Sequence, residues 1–410
     1  MGYTKDIIKG LSWLSAIRIV VRGLIFIKIP LIARILSPSQ VGIFALAAIV
    51  LAFAETLTET GINIFLVQKR DSVDKYISTA WIVSILRGAI LSLIIFISAQ
   101  FIVPFFEFSD TLYLIQLISI VPLLRGFINP SVGKFIKDLH FKKEFIYRTS
   151  IIAVESIVSV VLVLIYESPT SLVWGMIAGA IFEIGLSFIM ARPIPAMRFK
   201  KNLFGEIVKR GKWFTTIGIF SYMYQNLDDL VVGKLLGSGA LGLYDYVYKI
   251  SMLPITEIAD VIIKTAFPVF VKFSEDKTRL FRAYLRILLL TLILSMPLGV
   301  IFFLFPETIL RLLLGEQWIS GADILRVLAI LGVVRALSIS VLAPFYALEK
   351  QEYVTLITVV GFLGLAATVI PFVQNWGLVG AGYAALVGSL FSVPFILYFL
   401  RKVFKGSKFT

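Results

Sequence analysis

The sequence predicts an all-α integral membrane protein of about twelve transmembrane helices in two six-helix lobes. Three observations lead there. Of 410 residues, 59% are hydrophobic and only 16% charged, and the mean hydropathy of +0.94 lies well beyond that of soluble globular chains. Runs such as 89–103 and 287–304 are apolar on every side, which fits helices in lipid and not the alternating polarity of barrel strands. A basic connection at 192–211, with Arg192, Arg198, Lys200, Lys201, Lys209 and Arg210, splits the apolar runs into six and six.

Taken in order, the spans are expected near 11–34, 41–66, 77–103, 112–136, 146–166 and 170–191, and then near 212–235, 240–266, 283–305, 322–347, 353–374 and 378–400. The N-terminal lobe is 1–199 and the C-terminal lobe 200–410. The first apolar segment carries Arg18, Arg22 and Lys28 and lacks an Ala-x-Ala exit, so it is read as a span and not as a cleaved signal. Cysteine is absent and His140 is the one histidine, which excludes disulfides and thiolate or multi-histidine metal sites. No Gly-x4-Gly-Lys-Ser/Thr loop occurs, so ATP is not the direct energy source. The net charge of +14 would suggest nucleic acid in a soluble chain. Here it follows from basic residues beside helix ends, and no nucleic-acid partner is expected.

Those basic residues also orient the chain. Lys5 and Lys9, Lys69 to Lys75, Lys134 to Lys143, the 192–211 linker, Lys272 to Arg282, Lys350 and Arg401 to Lys408 fall on one side of the alternating loops. Both termini and the linker are therefore expected in the cytoplasm, with the protein in the cytoplasmic membrane.

The lobes read as copies. Ile7, Lys9, Trp13, Ile17, Ile19, Leu36 and Gly42 recur 200 residues later as Ile207, Lys209, Trp213, Ile217, Ile219, Leu236 and Gly242, and Arg125 stands opposite Arg335. With an even number of spans per lobe the repeats are parallel, enclosing a central cavity that rocking of the lobes opens to either side. Secondary transporters use this layout more often than channels or membrane enzymes do.

Ionisable residues inside spans are costly and mark a cavity or a partner. Arg18, Arg22 and Lys28 in the first span, Arg87 in the third and Arg125 in the fourth form a cationic set suited to an anionic, phosphate-bearing substrate. Glu55 and Glu59, one turn apart in the second span, lie at about the depth of Arg22 and Arg18, so an ion-paired seam is an equal reading for those two. Lys28 and Arg125 have no such evident partner and are ranked higher as cavity residues. In the seventh span Tyr222, Gln225, Asn226 and Asp229 share a helical face, with Asp228 beside it. This stripe suits a glycan wall or a site for a coupling ion, H⁺ or Na⁺, while interhelical hydrogen bonding remains its plainer reading. Asp229 is preferred over Asp228 as a cavity group. Asp245 and Lys249 are spaced for an intrahelical pair. Gly175 and Gly179, and Gly377, Gly380 and Gly382, mark close helix packing, and Pro130 and Pro344 are candidate kinks. No catalytic or metal-binding constellation is found.

Leu36-Ser-Pro-Ser-Gln-Val-Gly-Ile-Phe-Ala45, Glu59-Thr-Gly-Ile-Asn63 leading to Val67-Gln-Lys-Arg-Asp71, and above all Asn226-Leu-Asp-Asp-Leu-Val-Val-Gly-Lys-Leu-Leu-Gly237 followed by Leu241-Gly-Leu-Tyr244 resemble the Wzx-like polysaccharide and O-antigen flippases of the multidrug/oligosaccharidyl-lipid/polysaccharide exporter superfamily. The resemblance runs through essentially the whole chain. It implies a V-shaped two-lobe fold that moves a polyprenyl-linked oligosaccharide between leaflets by alternating access, with Arg18, Arg22, Lys28 and Arg125 fitting the family's cationic cavity for the pyrophosphate. It also makes a polysaccharide polymerase and glycosyltransferases candidate partners. An ion-coupled multidrug exporter would hold an acidic cavity. A lipid II flippase usually adds two C-terminal helices. A major-facilitator transporter carries a glycine motif that 68–75 lacks. A membrane glycan polymerase would place acid, base or arginine groups in a large outer loop, and the outer loops here are short.

Because the chain has no native cysteine, its topology can be read directly. Cysteines introduced at Lys5, Lys201 and Lys408 are expected to resist membrane-impermeant thiol reagents in intact cells. Labelling at any of the three contradicts the six-plus-six arrangement.

Overall fold

The computed structural model describes residues 2–57, 74–108, 111–198 and 200–404. Among them the regular structure is entirely helical. The chain divides into two compact units, Met1–Tyr222 and Met223–Thr410. The division falls inside one helix, whereas 199/200, the boundary read from the sequence, lies in the connection just before it.

In the N-terminal unit the helices are α1 (Gly2–Ala33), α2 (Pro38–Leu57), α3 (Asp74–Phe106), α4 (Leu112–Ile118), α5 (Ile120–Gly126), α6 (Lys134–Lys137), α7 (Phe141–Tyr166) and α8 (Thr170–Met190). Then α9 (Lys201–Leu236) leads to α10 (Ser238–Lys272), α11 (Lys277–Leu304), α12 (Pro306–Leu313), α13 (Ala322–Ala347), α14 (Gln351–Phe391) and α15 (Val393–Phe404). Seven helices among the described residues are long and apolar enough to cross a membrane, and the bent α4–α6 segment is an eighth candidate. The last of the seven, Gln351–Phe404, is 54 residues long, far more than one crossing needs. It is broken at Gly377, whose φ of 57° and ψ of −136° suit only a residue without Cβ. The long helices α1, α9 and α10 carry charges along their length. Within the described residues, each of the twelve expected segments overlaps helix, although the second runs beyond Leu57 into residues that are not described.

Local chemistry explains the boundaries. Ser37 and Gln40 cap α2 reciprocally: the Gln40 N–H donates to Ser37 Oγ at 3.3 Å and the Ser37 N–H to Gln40 Oε1 at 2.9 Å. Pro38 supplies the first helical residue, where no N–H is needed. The Leu36-Ser-Pro-Ser-Gln stretch is thus a helix start signal. The fourth expected span, 112–136, is not one helix. Its parts Leu112–Gly126 and Pro130–Lys137 are bent by 71°, because Pro130 has no N–H to continue the ladder and pushes Asn129 into extended backbone (φ −69°, ψ 115°). Asn129 then caps the next turn, accepting from the Ser131 N–H at 2.9 Å. Pro344, by contrast, lies within α13.

The repeat is visible in the backbone of each unit. His140 N–H donates to Phe135 O at 2.7 Å and Leu139 N–H to Ile136 O at 3.2 Å; Lys350 N–H donates to Phe345 O at 2.8 Å and Glu349 N–H to Tyr346 O at 3.2 Å. Leu139 and Glu349 are both left-handed, at φ 58° and 57°. This is one Schellman turn occurring twice, at the spacing that separates Arg125 from Arg335.

Helix surfaces follow lipid as the solvent. On α11, Leu285, Leu289, Ile293, Met296, Val300 and Leu304 are exposed, while Thr291, Ser295 and Gly299 are buried. The small polar residues pack inward, and Thr291 Oγ1 and Ser340 Oγ of α13 meet at 2.8 Å. Glycines set the closest approaches. A Cβ at Gly175 or Gly179 would meet Ser159 or Glu155 of α7, and one at Gly126 would stand 2.8 Å from Ser84 O of α3. Gly88 faces the Pro122–Gly126 backbone in turn, so α3 and α5 touch directly beside Arg87 and Arg125.

Gly126→Val should lower the thermal unfolding temperature of the detergent-purified protein, by a destabilisation of about 1–3 kcal/mol from overpacking. Gly23→Ala and Gly185→Ala, where a Cβ meets nothing within 4 Å, should cause no loss. Equal behaviour of the three variants contradicts this packing.

Candidate functional site: an arginine-lined cavity

A cavity of about 940 Å³ opens within the N-terminal unit. Arg18 and Arg22 of α1 line it one turn apart, with Arg87 of α3, Arg125 of α5 and Arg148 of α7. Glu55 of α2, Glu155 of α7, Glu183 of α8 and Tyr222 of α9 also line it, with Thr56, Ser84 and Tyr147. Five arginines thus face three glutamates in a helical shell with a net cationic character. Four of the five expected cationic residues are brought together here.

Two expectations need correction. Arg125 and Lys28 were the cations without an evident partner, yet both are ion-paired. Arg125 Nη1 lies 2.8 Å from Glu55 Oε1, and Lys28 Nζ lies 3.2 Å from Glu155 Oε1. The partners are distant in sequence and meet only through tertiary packing. Lys28 and Glu155 are also well sheltered, their side chains 17% and 21% exposed, which marks a structural pair. Glu55 of the expected seam holds Arg125, and its main-chain carbonyl accepts from Arg87 Nη2 at 2.8 Å. Glu59 lies outside the described residues.

Sequence reasoning missed Tyr147 and Arg148. Tyr147 donates to Glu183 Oε1 at 3.0 Å, and Arg148 bonds Glu144 one turn earlier on α7. A signal was present: Glu144, Tyr147, Arg148 and Glu155 fall at helical spacing, forming a polar stripe on a membrane helix.

The seventh-span stripe divides. Tyr222 belongs to the N-terminal unit, where its hydroxyl donates to Ile49 O at 2.7 Å and its ring contacts Phe53. Gln225 is exposed and Asn226 half-buried. Asp228 and Asp229 lie in the C-terminal unit and both are buried, Asp228 completely. Tyr244 donates its hydroxyl to Asp228 Oδ2 at 2.7 Å, while Oδ1 has no hydrogen-bond partner among the described residues. Nearby, Arg335 bonds the Tyr248 hydroxyl, and Asp245 and Lys249 form the expected intrahelical pair at 2.7 Å. The equivalent positions Arg125 and Arg335 thus meet a carboxylate in one unit and a phenol in the other.

Helices that carry their charges inward around a cavity define a membrane transporter class. The family model described as polysaccharide biosynthesis protein matches residues 31–323, and the chain belongs to that family. It is 23% identical over 349 residues to lipopolysaccharide biosynthesis protein WzxC of Escherichia coli (strain K12), spanning 82% of this chain and 69% of that protein. It is 22% identical over 356 residues to teichuronic acid biosynthesis protein TuaB of Bacillus subtilis (strain 168), spanning 82% and 70%. The lipid II flippase MurJ, in an inward closed conformation, matches with a TM-score of 0.77 at 16% identity, covering 95% of this chain and 88% of that one, which establishes the fold.

Tyr244→Phe removes the hydroxyl on Asp228 and leaves a buried carboxyl group without it. A loss of about 1–3 kcal/mol is expected, read as a lowered thermal midpoint in detergent. An unchanged midpoint contradicts the structural importance of this contact.

Proposed function

We propose that this chain is a flippase that carries a polyprenyl-pyrophosphate-linked oligosaccharide across the cytoplasmic membrane by alternating access, for surface polysaccharide biosynthesis. It is a transporter and not an enzyme. The observation that carries the reading is the arginine set facing a cavity inside an apolar helical shell, in a chain of the polysaccharide biosynthesis family. Guanidinium forks take phosphate oxygens in pairs, and a pyrophosphate diester presents two adjacent phosphates within reach of several arginines. Arg18, Arg22, Arg87 and Arg125 are the groups assigned to it, and Lys28 is reassigned to holding α1 against α7. An acidic-cavity drug exporter fits the lining poorly.

Both termini and the 192–211 connection face the cytoplasm in this reading, which places the basic loops on the side where the substrate is assembled. A polymerase and glycosyltransferases are the partners it calls for. The buried, half-satisfied Asp228, next to Asp229, is where a coupling H⁺ or Na⁺ would act, since a cation there would answer the carboxylate oxygen that no hydrogen bond reaches among the described residues. Cation binding shifts the two access states only by its difference in affinity between them.

Arg22 is exposed within the cavity, so Arg22→Gln should fold and insert normally while losing transport by about tenfold or more, the scale of one charge-assisted phosphate contact. The measurement is translocation of lipid-linked oligosaccharide in proteoliposomes. Wild-type rates in this variant contradict the cationic-cavity reading.

A further inference from the structure

Glu55 stands among the arginines and not apart from them. Its carboxylate takes Arg125 at 2.8 Å and its main-chain carbonyl takes Arg87 at 2.8 Å, so one residue of α2 occupies donors of two cavity arginines. The pair is accessible, with the Arg125 and Glu55 side chains 37% and 30% exposed. This sets it apart from the more sheltered Lys28–Glu155 pair. A carboxylate and a phosphate ask the same thing of a guanidinium: two oxygens against two N–H groups. A ligand phosphate approaching Arg125 therefore meets an occupant already in place.

We propose that Glu55 is a built-in counter-anion, which holds Arg125 while the cavity is empty and gives it up to a phosphate when the substrate enters. Two consequences follow from charge. An empty cavity avoids leaving the Arg125 cation unanswered among apolar helices. Weakly charged anions are also rejected, because an anion that displaces Glu55 must compensate Arg125 and tolerate the released carboxylate nearby. A pyrophosphate can do so by drawing on the remaining arginines at the same time. Glu55 is thus a specificity-determining residue that sets a minimum charge for the ligand. The inference rests on the pyrophosphate reading above.

The test is calorimetric titration of the purified full chain in lipid nanodiscs with inorganic pyrophosphate. Glu55→Gln keeps the side-chain shape and removes the competing charge, and it should bind about tenfold more tightly than wild type, the scale of one charge-assisted hydrogen bond. In an Arg125→Gln background the same change should give no gain, because the competition is for that guanidinium. Binding by wild type with no gain in Glu55→Gln, or a gain that persists without Arg125, overturns the counter-anion role and leaves the pyrophosphate reading standing. Binding by neither wild type nor Glu55→Gln overturns both. Binding by Glu55→Gln alone supports both. Should Glu55→Gln not yield folded protein, Glu55→Asp, whose shorter side chain draws the carboxylate away from Arg125, should bind with an intermediate gain, and wild-type affinity in that variant counts against the role.

Discussion

A charge carried on a membrane helix must be met by an opposite charge, a hydrogen-bond donor or water, and this requirement determines how the helices of the chain are turned. Lys28 turns α1 towards Glu155 of α7. Arg125 turns α5 towards Glu55 of α2, and the Gly88–Gly126 approach lets Arg87 reach the same residue. The cavity lies among these helices, lined by five arginines and three glutamates. In the C-terminal unit the same requirement is met by phenols: Tyr244 on Asp228 and Tyr248 on Arg335. Aromatic hydroxyls satisfy a charge without cancelling it.

What the sequence made legible was whatever depends on neighbours along the chain. Runs of apolar residues placed the helices, since length and hydropathy alone decide whether a segment fits the hydrocarbon layer. The Asp245–Lys249 pair was readable because one helical turn separates the two residues. Arg125–Glu55 and Lys28–Glu155 were not, because 70 and 127 residues separate the partners and helix rotation, which no local pattern encodes, brings them together. The fourth span shows the boundary between the two cases. Pro130 signalled a bend, but the 71° break also needs Asn129 to cap the following turn and to donate its side-chain amide to Pro193 O at 3.3 Å, a contact available only in the folded unit. The split of the seventh-span stripe has a similar origin. A shared helical face fixes direction at one point of a helix, whereas α9 is long enough for Tyr222 and Asp228 to serve different cores.

Two of the core clusters differ in kind. The first, around Leu51, Leu91, Ile115 and Val173, is aliphatic. The second gathers Phe270, Tyr284, Phe345 and Phe399, and Tyr353 stacks on Phe399 with ring centroids 4.2 Å apart. Since lipid tails are as apolar as these side chains, exclusion from water contributes little between helices inside the bilayer. Close contact and ring geometry must supply the cohesion instead, which is why glycine at α3–α5 and α7–α8, and aromatic stacking near α14 and α15, recur where the helices meet.

The paired turns at Leu139 and Glu349 bear on how the molecule came to have two halves. A left-handed leucine or glutamate costs roughly 1–2 kcal/mol relative to glycine, so neither residue type recommends itself for the position, and chance would not be expected to put both there with the same backbone bonds. Duplication of an ancestral half accounts for it directly. The joint has one shape in both halves, while its left-handed residue is leucine in one and glutamate in the other and the helices beside it differ in charge, Lys28 in one copy corresponding to Asp228 in the other. Geometry is what the two halves share, and electrical character is where they part.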